Sequence, residues 1–227
     1  MLATDEIEIV LLSLKVAATS VVCSLPFAIG TALILARLQF PGKALFDAAI
    51  NLPLVLPPVV IGYFLLLAFG RNGILGMWFE QVLGLSFAFR WTGAALAAGI
   101  MGFPLMVRAI RLSMESIDPR LEAAARTLGA SRWRVLARVT LPLALPGMVA
   151  GAALAFGRSL GEFGATITFV SSIPGETQIL PLAIYNLTQT PDGDAAILRL
   201  CALSVALSLG ALVLSEWISS RMRVRQS

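Results

Sequence analysis

The 227-residue chain has no histidine, two cysteines and few charges. Only 13% of its residues are Asp, Glu, Lys or Arg, where a soluble domain carries about a quarter. Without histidine, Ser-His-Asp catalysis and imidazole metal sites are excluded. Cys23 and Cys201 both fall inside apolar runs. There they read as small buried side chains, not a disulfide framework or a metal pair. No G-x-x-x-x-G-K followed by Ser or Thr occurs. Gly42-Lys43 is followed by Ala44 and lacks the leading glycine, so the chain has no phosphate-binding loop of that type. A basic leader is missing too. The opening residues include Asp5, Glu6 and Glu8, acidic where a signal peptide is basic. The first apolar run is therefore expected to be a retained span.

What fills the chain is apolar: 58% hydrophobic residues and a mean hydropathy of +0.87. These residues are grouped in runs near the roughly 20 residues a helix needs to cross a bilayer. The expected fold is all-α: a single polytopic membrane domain over 1–227 with about five transmembrane helices, near 7–36, 51–69, 91–107, 142–159 and 195–218. A short basic turn with Arg37, Pro41, Gly42 and Lys43 follows the first. The mixed stretch 70–90 ends beside Trp91 and contains Trp78, aromatics suited to an interface. The stretch 161–194 is less apolar and rich in Gly, Pro and Thr.

The net charge is +4. The arginines follow loop topology, which argues against nucleic acid as a partner. One side receives Arg37, Lys43, the Arg108 to Arg138 group and the tail arginines Arg221, Arg223 and Arg225. The other receives Arg71 and Arg90 with most of the acids. The positive-inside rule makes the first side cytoplasmic, with the N-terminus outside and the C-terminus inside.

Three local patterns stand out. LPLVLPPVV (52–60) recurs as LPLALPGMV (141–149), with Pro53 and Pro142 expected in a first helical turn. Gly147, Gly151, Ala155 and Ser159 recur every four residues, and Gly157 with Gly161 forms a second small pair. Such stripes allow close helix approach, either within one subunit or at a subunit contact or gate. Arg158 and Glu162 stand four apart near the end of the fourth span. They form either a structural ion pair or part of a translocation path. Thr166, Thr168, Ser171 and Ser172 follow as loop caps or pathway hydroxyls. Lys15 and Arg199 are expected to snorkel or pair.

The most informative segment lies between the third and fourth spans. Asp118-Pro119 is a helix start. Leu121, Ala124, Ala125 and Leu128 then fall on one face, Glu122 sits in the early turns, and Gly129 supplies a left-handed stop. Ser131 can cap a second helix carrying Trp133. Helices this short are marginal alone in water. Either a partner's groove or the anionic membrane surface would support them.

This segment, EAAARTLGASRWRVLARVTLP (122–142), closely resembles the EAA loop of binding-protein-dependent ABC importer permeases. That pattern is Glu-Ala-Ala, three residues, Gly, nine residues, Ile-x-Leu-Pro; here Gly129 is followed after nine residues by Val139-Thr140-Leu141-Pro142. The front end departs. The pattern's Glu position holds Ala123, with Glu122 one place earlier, a rotation of roughly 100° on a helix. The resemblance extends over nearly the whole chain and is closest to molybdate-type permeases. It is carried by 40–66, 101–135 and, most discriminating, RSLGEFGATITFVSSIPGETQILPLAIYNLTQTPDG (158–193). Sulfate-type relatives are similar around Gly161 to Gly164 and less so beyond.

The resemblance implies a transport subunit, not an enzyme, in the bacterial inner membrane. It would work by alternating access as a homodimer, with two cytoplasmic ABC ATPase subunits and an external oxyanion-binding protein. ATP and Mg would sit on the ATPase, leaving this chain without a cofactor. It further implies that Glu122, Ala123, Ala124, Ala125, Arg126, Gly129, Ala130 and Trp133 couple to the ATPase, within a loop at about 108–141. Arg158, Ser159, Glu162, Phe163 and Thr166 are the candidates for the pathway. Sulfate or tungstate import, or an ATP-independent secondary transporter, are the alternatives.

Overall fold

A computed structural model describes residues 4–190 and 193–224. Every regular element among the described residues is helical, so the chain is an all-α, polytopic membrane protein. Among the described residues four helices are long and apolar enough to cross a bilayer: α1 (Thr4–Arg37), α5 (Trp91–Glu115), the continuous rod Arg132–Leu160, and α11 (Asp194–Val224). α2 (Lys43–Val55) and α3 (Pro58–Phe69) are together long and apolar enough for a fifth, bent crossing.

That fifth crossing corrects the expected straight helix over 51–69. α2 begins at Lys43, and α3 departs from it at 109°. The cause is Pro57-Pro58. Pro57 has no N–H to continue the ladder, and Pro58 holds Pro57 extended at φ −55°, ψ 131°. Pro58, not Pro53, takes the first helical position; Pro53 lies inside α2.

The second half of the sequence echo folds differently. α7 (Arg132–Val135), the π turn Leu136–Thr140 and α8 (Leu141–Leu160) run on without a loop. Pro142 stands in the first turn of α8, as expected, but that turn is not free, because the helix runs into it from the π turn. A π turn directly ahead of it, with the Leu141 N–H on the Leu136 carbonyl, widens the helix where a proline ring would crowd the preceding turn. The two similar strings are not a structural repeat.

α5 is the axis of the bundle, packed between α1 and α8. The glycines of α8 meet α5 directly. A Cβ at Gly147 would collide with Ser113, and one at Gly151 would lie 3.0 Å from the Met106 carbonyl oxygen. Across from Ala155, α5 supplies its own Gly102. This stripe is thus internal packing. Gly157, by contrast, faces open space.

The polar-looking stretch 161–194 is no simple loop. α9 (Gly164–Val170) turns back against α3 and α5, burying Ala165, Phe169 and Val170. α10 (Leu180–Leu187) packs on α11 and α1. α4 (Ile74–Leu83) carries Trp78 into an edge-to-face cluster of Phe69, Phe79 and Phe87. α11 joins the body through α8 and α10, and through Arg199, which donates two hydrogen bonds to Glu6 on α1.

Candidate functional site

The segment after α5 forms two short helices, each with its own cap. Asp118 accepts the Arg120 N–H at 2.9 Å and opens α6 (Pro119–Thr127). The helix closes with the Gly129 N–H on the Arg126 carbonyl and the Ala130 N–H on the Ala125 carbonyl, a paired C-terminal motif that needs the left-handed φ of +84° at Gly129. Ser131 then accepts the Arg134 N–H and starts α7.

One side chain fixes this hairpin to the bundle. Glu122 Oε1 accepts from Arg37 Nη2 at 2.6 Å and from Thr140 Oγ1 at 2.8 Å. Arg37 Nη2 also reaches the Met114 carbonyl at 3.2 Å. The ends of α1 and α5, the head of α6 and the π turn therefore meet at one carboxylate. The offset of Glu122 from the expected position turns it inward, onto the chain's own arginine. The opposite surface is bare. Leu121 is 50% exposed, Leu128 89% and Trp133 80%. Ala123, Ala124 and Arg126 are also exposed, while Ala125 and Ala130 are half-buried.

A second polar cluster lies at the far end of α8. Glu162 is 1% exposed. Its Oε1 accepts the Ala165 N–H at 2.9 Å and so caps α9; its Oε2 lies 2.7 Å from Arg158 Nη2, an ionic contact off the hydrogen-bonding axis. Arg158 is the member of this cluster that reaches open space, with 28% of its side chain exposed. The other three candidates point elsewhere. Ser159 shares a buried 2.9 Å hydrogen bond with Ser20 on α1. Phe163 packs on Tyr185. Thr166 is fully buried, and its hydroxyl has no partner among the described residues. Of the five residues, Arg158 and Glu162 pair, Ser159 and Phe163 join helices, and Thr166 is buried.

The neighbouring hydroxyls make local structural bonds. Thr168 donates to the Gly164 carbonyl, and Ser172 accepts from Asn186. Lys15 sits over the Trp91 ring at 3.7 Å. Among the described residues no group of three Cys, Asp or Glu side chains is placed to hold a metal ion.

Residues 15–224 match the family described as binding-protein-dependent transport system inner membrane component. The chain belongs to this family. Over 226 residues it is 58% identical to the molybdenum transport system permease protein ModB of Escherichia coli strain K12, spanning 99% of both chains. It is 40% identical over 170 residues to the sulfate transport system permease protein CysT of the same strain, spanning 75% of this chain and 61% of CysT. Its fold matches a chain of the bacterial alginate ABC transporter solved in complex with an alginate pentasaccharide-bound periplasmic protein. The TM-score is 0.74 at 17% identity, covering 97% of this chain and 80% of that one.

In this inner membrane component, sequence reasoning missed the side chains that pin the stretch after α8. Ser13 on α1 accepts the Leu180 N–H at 2.8 Å and caps α10 from a distance of 167 residues. Thr177 accepts the Ile173 N–H and donates to the Ser171 carbonyl, closing the turn between α9 and α10. A lone serine in an apolar run gives no signal of such a role. Thr177 stands after the Pro-Gly turn at 174–175, and that turn marks a loop without naming the residue that ties it.

Proposed function

We propose that this chain is the permease subunit of an ATP-driven importer that passes molybdate, a tetrahedral oxyanion, into the cytoplasm. It acts as a homodimer in the inner membrane with two cytoplasmic ABC ATPase subunits. A periplasmic binding protein delivers the anion. ATP and Mg belong to the ATPase. The N-terminus lies outside and the C-terminus inside, in keeping with the basic residues at the loop end of the bundle.

One observation carries ATP coupling: the hairpin after α5 is held by Glu122 on one side and presents Leu121, Leu128 and Trp133 uncovered on the other. A short amphipathic helix with a bare apolar face fits a groove on a partner. Ala123, Ala124, Ala125, Arg126, Gly129 and Ala130 complete the docking element. Closure of the ATPase pair pushes α6; Glu122 passes the push to α1 and, through Thr140, to the π turn at the base of α8. The pathway then opens outward, receives the anion, and returns inward after hydrolysis.

Molybdate is favoured over sulfate by the greater identity and fuller coverage with ModB than with CysT. Near the outer end, Glu162 offsets the charge of Arg158, so a passing anion is met but not held. Weak contact is what release requires.

The test is ATPase stimulation in the reconstituted complex by binding protein loaded with molybdate, tungstate or sulfate in turn. Molybdate should stimulate most; stimulation by sulfate alone would overturn the substrate. Gly129→Asp tests the coupling. An added side chain meets no neighbour there, but the left-handed φ of +84° strains the stop of α6, so the variant should reach the membrane with its hairpin disturbed and hydrolyse ATP without uptake. Normal uptake in that variant would remove the docking role.

A further inference from the structure

The end of the bundle that carries the basic loops contains a cavity of about 280 Å3 between α1, α2 and α5. Two helix stripes form its walls. Arg108 and Arg111, three apart, come from α5; Asp47 and Asn51, four apart, come from α2; Leu35 of α1 also lines it.

The hydrogen-bonding state of this wall is unequal. Asp47 is already engaged, its Oδ2 accepting from Arg111 Nη1 at 3.1 Å and its Oδ1 from Asn51 Nδ2 at 3.1 Å. Asn51 gives a further bond to the Asp47 carbonyl at 2.8 Å. Arg111 Nε donates to Glu115 at 2.7 Å. A guanidinium has five N–H donors, so Arg111 uses two and keeps three. Arg108 is exposed and has no hydrogen-bond or ion-pair partner among the described residues. The other nearby cations are engaged: Lys43 donates to the Leu38 carbonyl and Arg37 to Glu122. Two guanidiniums thus line the cavity with one carboxylate already paired, and Glu115 stands beside it. Both carboxylates rest on Arg111, so the donors left open are the whole guanidinium of Arg108 and three N–H groups of Arg111. The complement of such a wall is a compact ligand with negative charge and several acceptor oxygens.

We propose that this cavity is a low-affinity tetrahedral-oxyanion site, with Arg108 the principal ligand and Arg111 a second one for which the Asp47 carboxylate competes. It lies at the opposite end of the bundle from Arg158 and does not depend on which anion is transported. Two sources share this chemistry: the phosphate of an anionic phospholipid, for which basic pockets between helices are suited, and a free oxyanion.

The test uses the full chain purified with the subunits it is expressed with. Phosphatidylglycerol retained per chain is counted by native mass spectrometry. Binding of inorganic molybdate and phosphate to the delipidated protein is measured by equilibrium dialysis. Arg108→Gln should lower one of these by about tenfold or more, the scale of a lost charge-assisted hydrogen-bond pair; Arg108→Lys should lower it less. Asp47→Asn removes the competing carboxylate and should strengthen binding, a change of sign that misfolding would not produce. A loss confined to retained lipid assigns the site to a headgroup; a loss confined to dialysis assigns it to a free oxyanion. If Arg108→Gln and Asp47→Asn leave both measurements within about twofold of wild type, the site does not exist.

Discussion

At the scale of single residues, Glu122 and Glu162 do parallel work at opposite ends of α8. Each carboxylate takes an arginine and a protein hydrogen bond from another residue, Glu122 both on Oε1 and Glu162 one on each oxygen. Glu122→Ala leaves Arg37 and the buried Thr140 hydroxyl with a common partner removed, a loss of about 1–3 kcal/mol for a partly buried charged group. A lower melting temperature is expected, with uptake reduced more than ATP hydrolysis. The Arg37→Gln and Glu122→Gln double-mutant cycle should show the two effects to be non-additive; additive losses would mean that the 2.6 Å contact carries no coupling. At the other end, Arg158→Ala strands a carboxylate that is 1% exposed, and an unpaired buried charge costs about 3 kcal/mol or more. Adding Glu162→Gln should recover most of that stability. Uptake assays on the double variant should show a changed rate with the same preference among molybdate, tungstate and sulfate. A switch toward sulfate would move specificity from the binding protein into this cluster.

Elements are joined here mainly by small residues. α5 and α8 approach through Gly102, Gly147 and Gly151, since helix contact in lipid rests on dispersion and therefore on close approach. Gly147→Leu is expected to remove the folded chain from the membrane fraction, because Ser113 occupies the space. Gly157→Leu, on a face with nothing nearby, should leave the thermal stability of the single chain unchanged. If it disperses the proposed homodimer, that face is the subunit contact. The capping elements of the hairpin were visible in order along the sequence: Asp118-Pro119, Gly129 and Ser131 each act within four residues of themselves. Glu122 was legible only as a helix-start acid. Its partners stand 85 and 18 residues away, and no local pattern points across that separation. The break at Pro57-Pro58 had a local signal, yet continuous apolarity over 51–69 concealed it.

For the whole molecule, the arrangement of charge yields a further prediction. In a background with Cys23 and Cys201 replaced by alanine, a cysteine at Ser131 should react with a membrane-impermeant thiol reagent only from the cytoplasmic side. One at Ser86, between α4 and α5, should react only from outside. Both are exposed. Reversed labelling would invert the proposed topology and place the hairpin beyond reach of any cytoplasmic ATPase. The same experiment bears on the bent α2–α3 pair, because Ser86 lies outside only if that pair counts as one crossing despite its 109° bend.

By itself the sequence determined what depends on neighbours in the chain. Apolar run length set an all-α membrane fold, arginine placement set an expected orientation, and turn chemistry set the two-helix loop with its caps. Tertiary structure decided everything that depends on distant residues meeting. It brought Arg37, Glu122 and Thr140 to one point, sent Ser159 to Ser20 instead of to Arg158, returned α9 into the bundle, and aligned Arg108 with α2 around a cavity. The physical reason is range. Helix periodicity, capping and hydropathy act over a few residues, whereas an ion pair or a cavity exists only once packing has brought remote segments within a few ångströms.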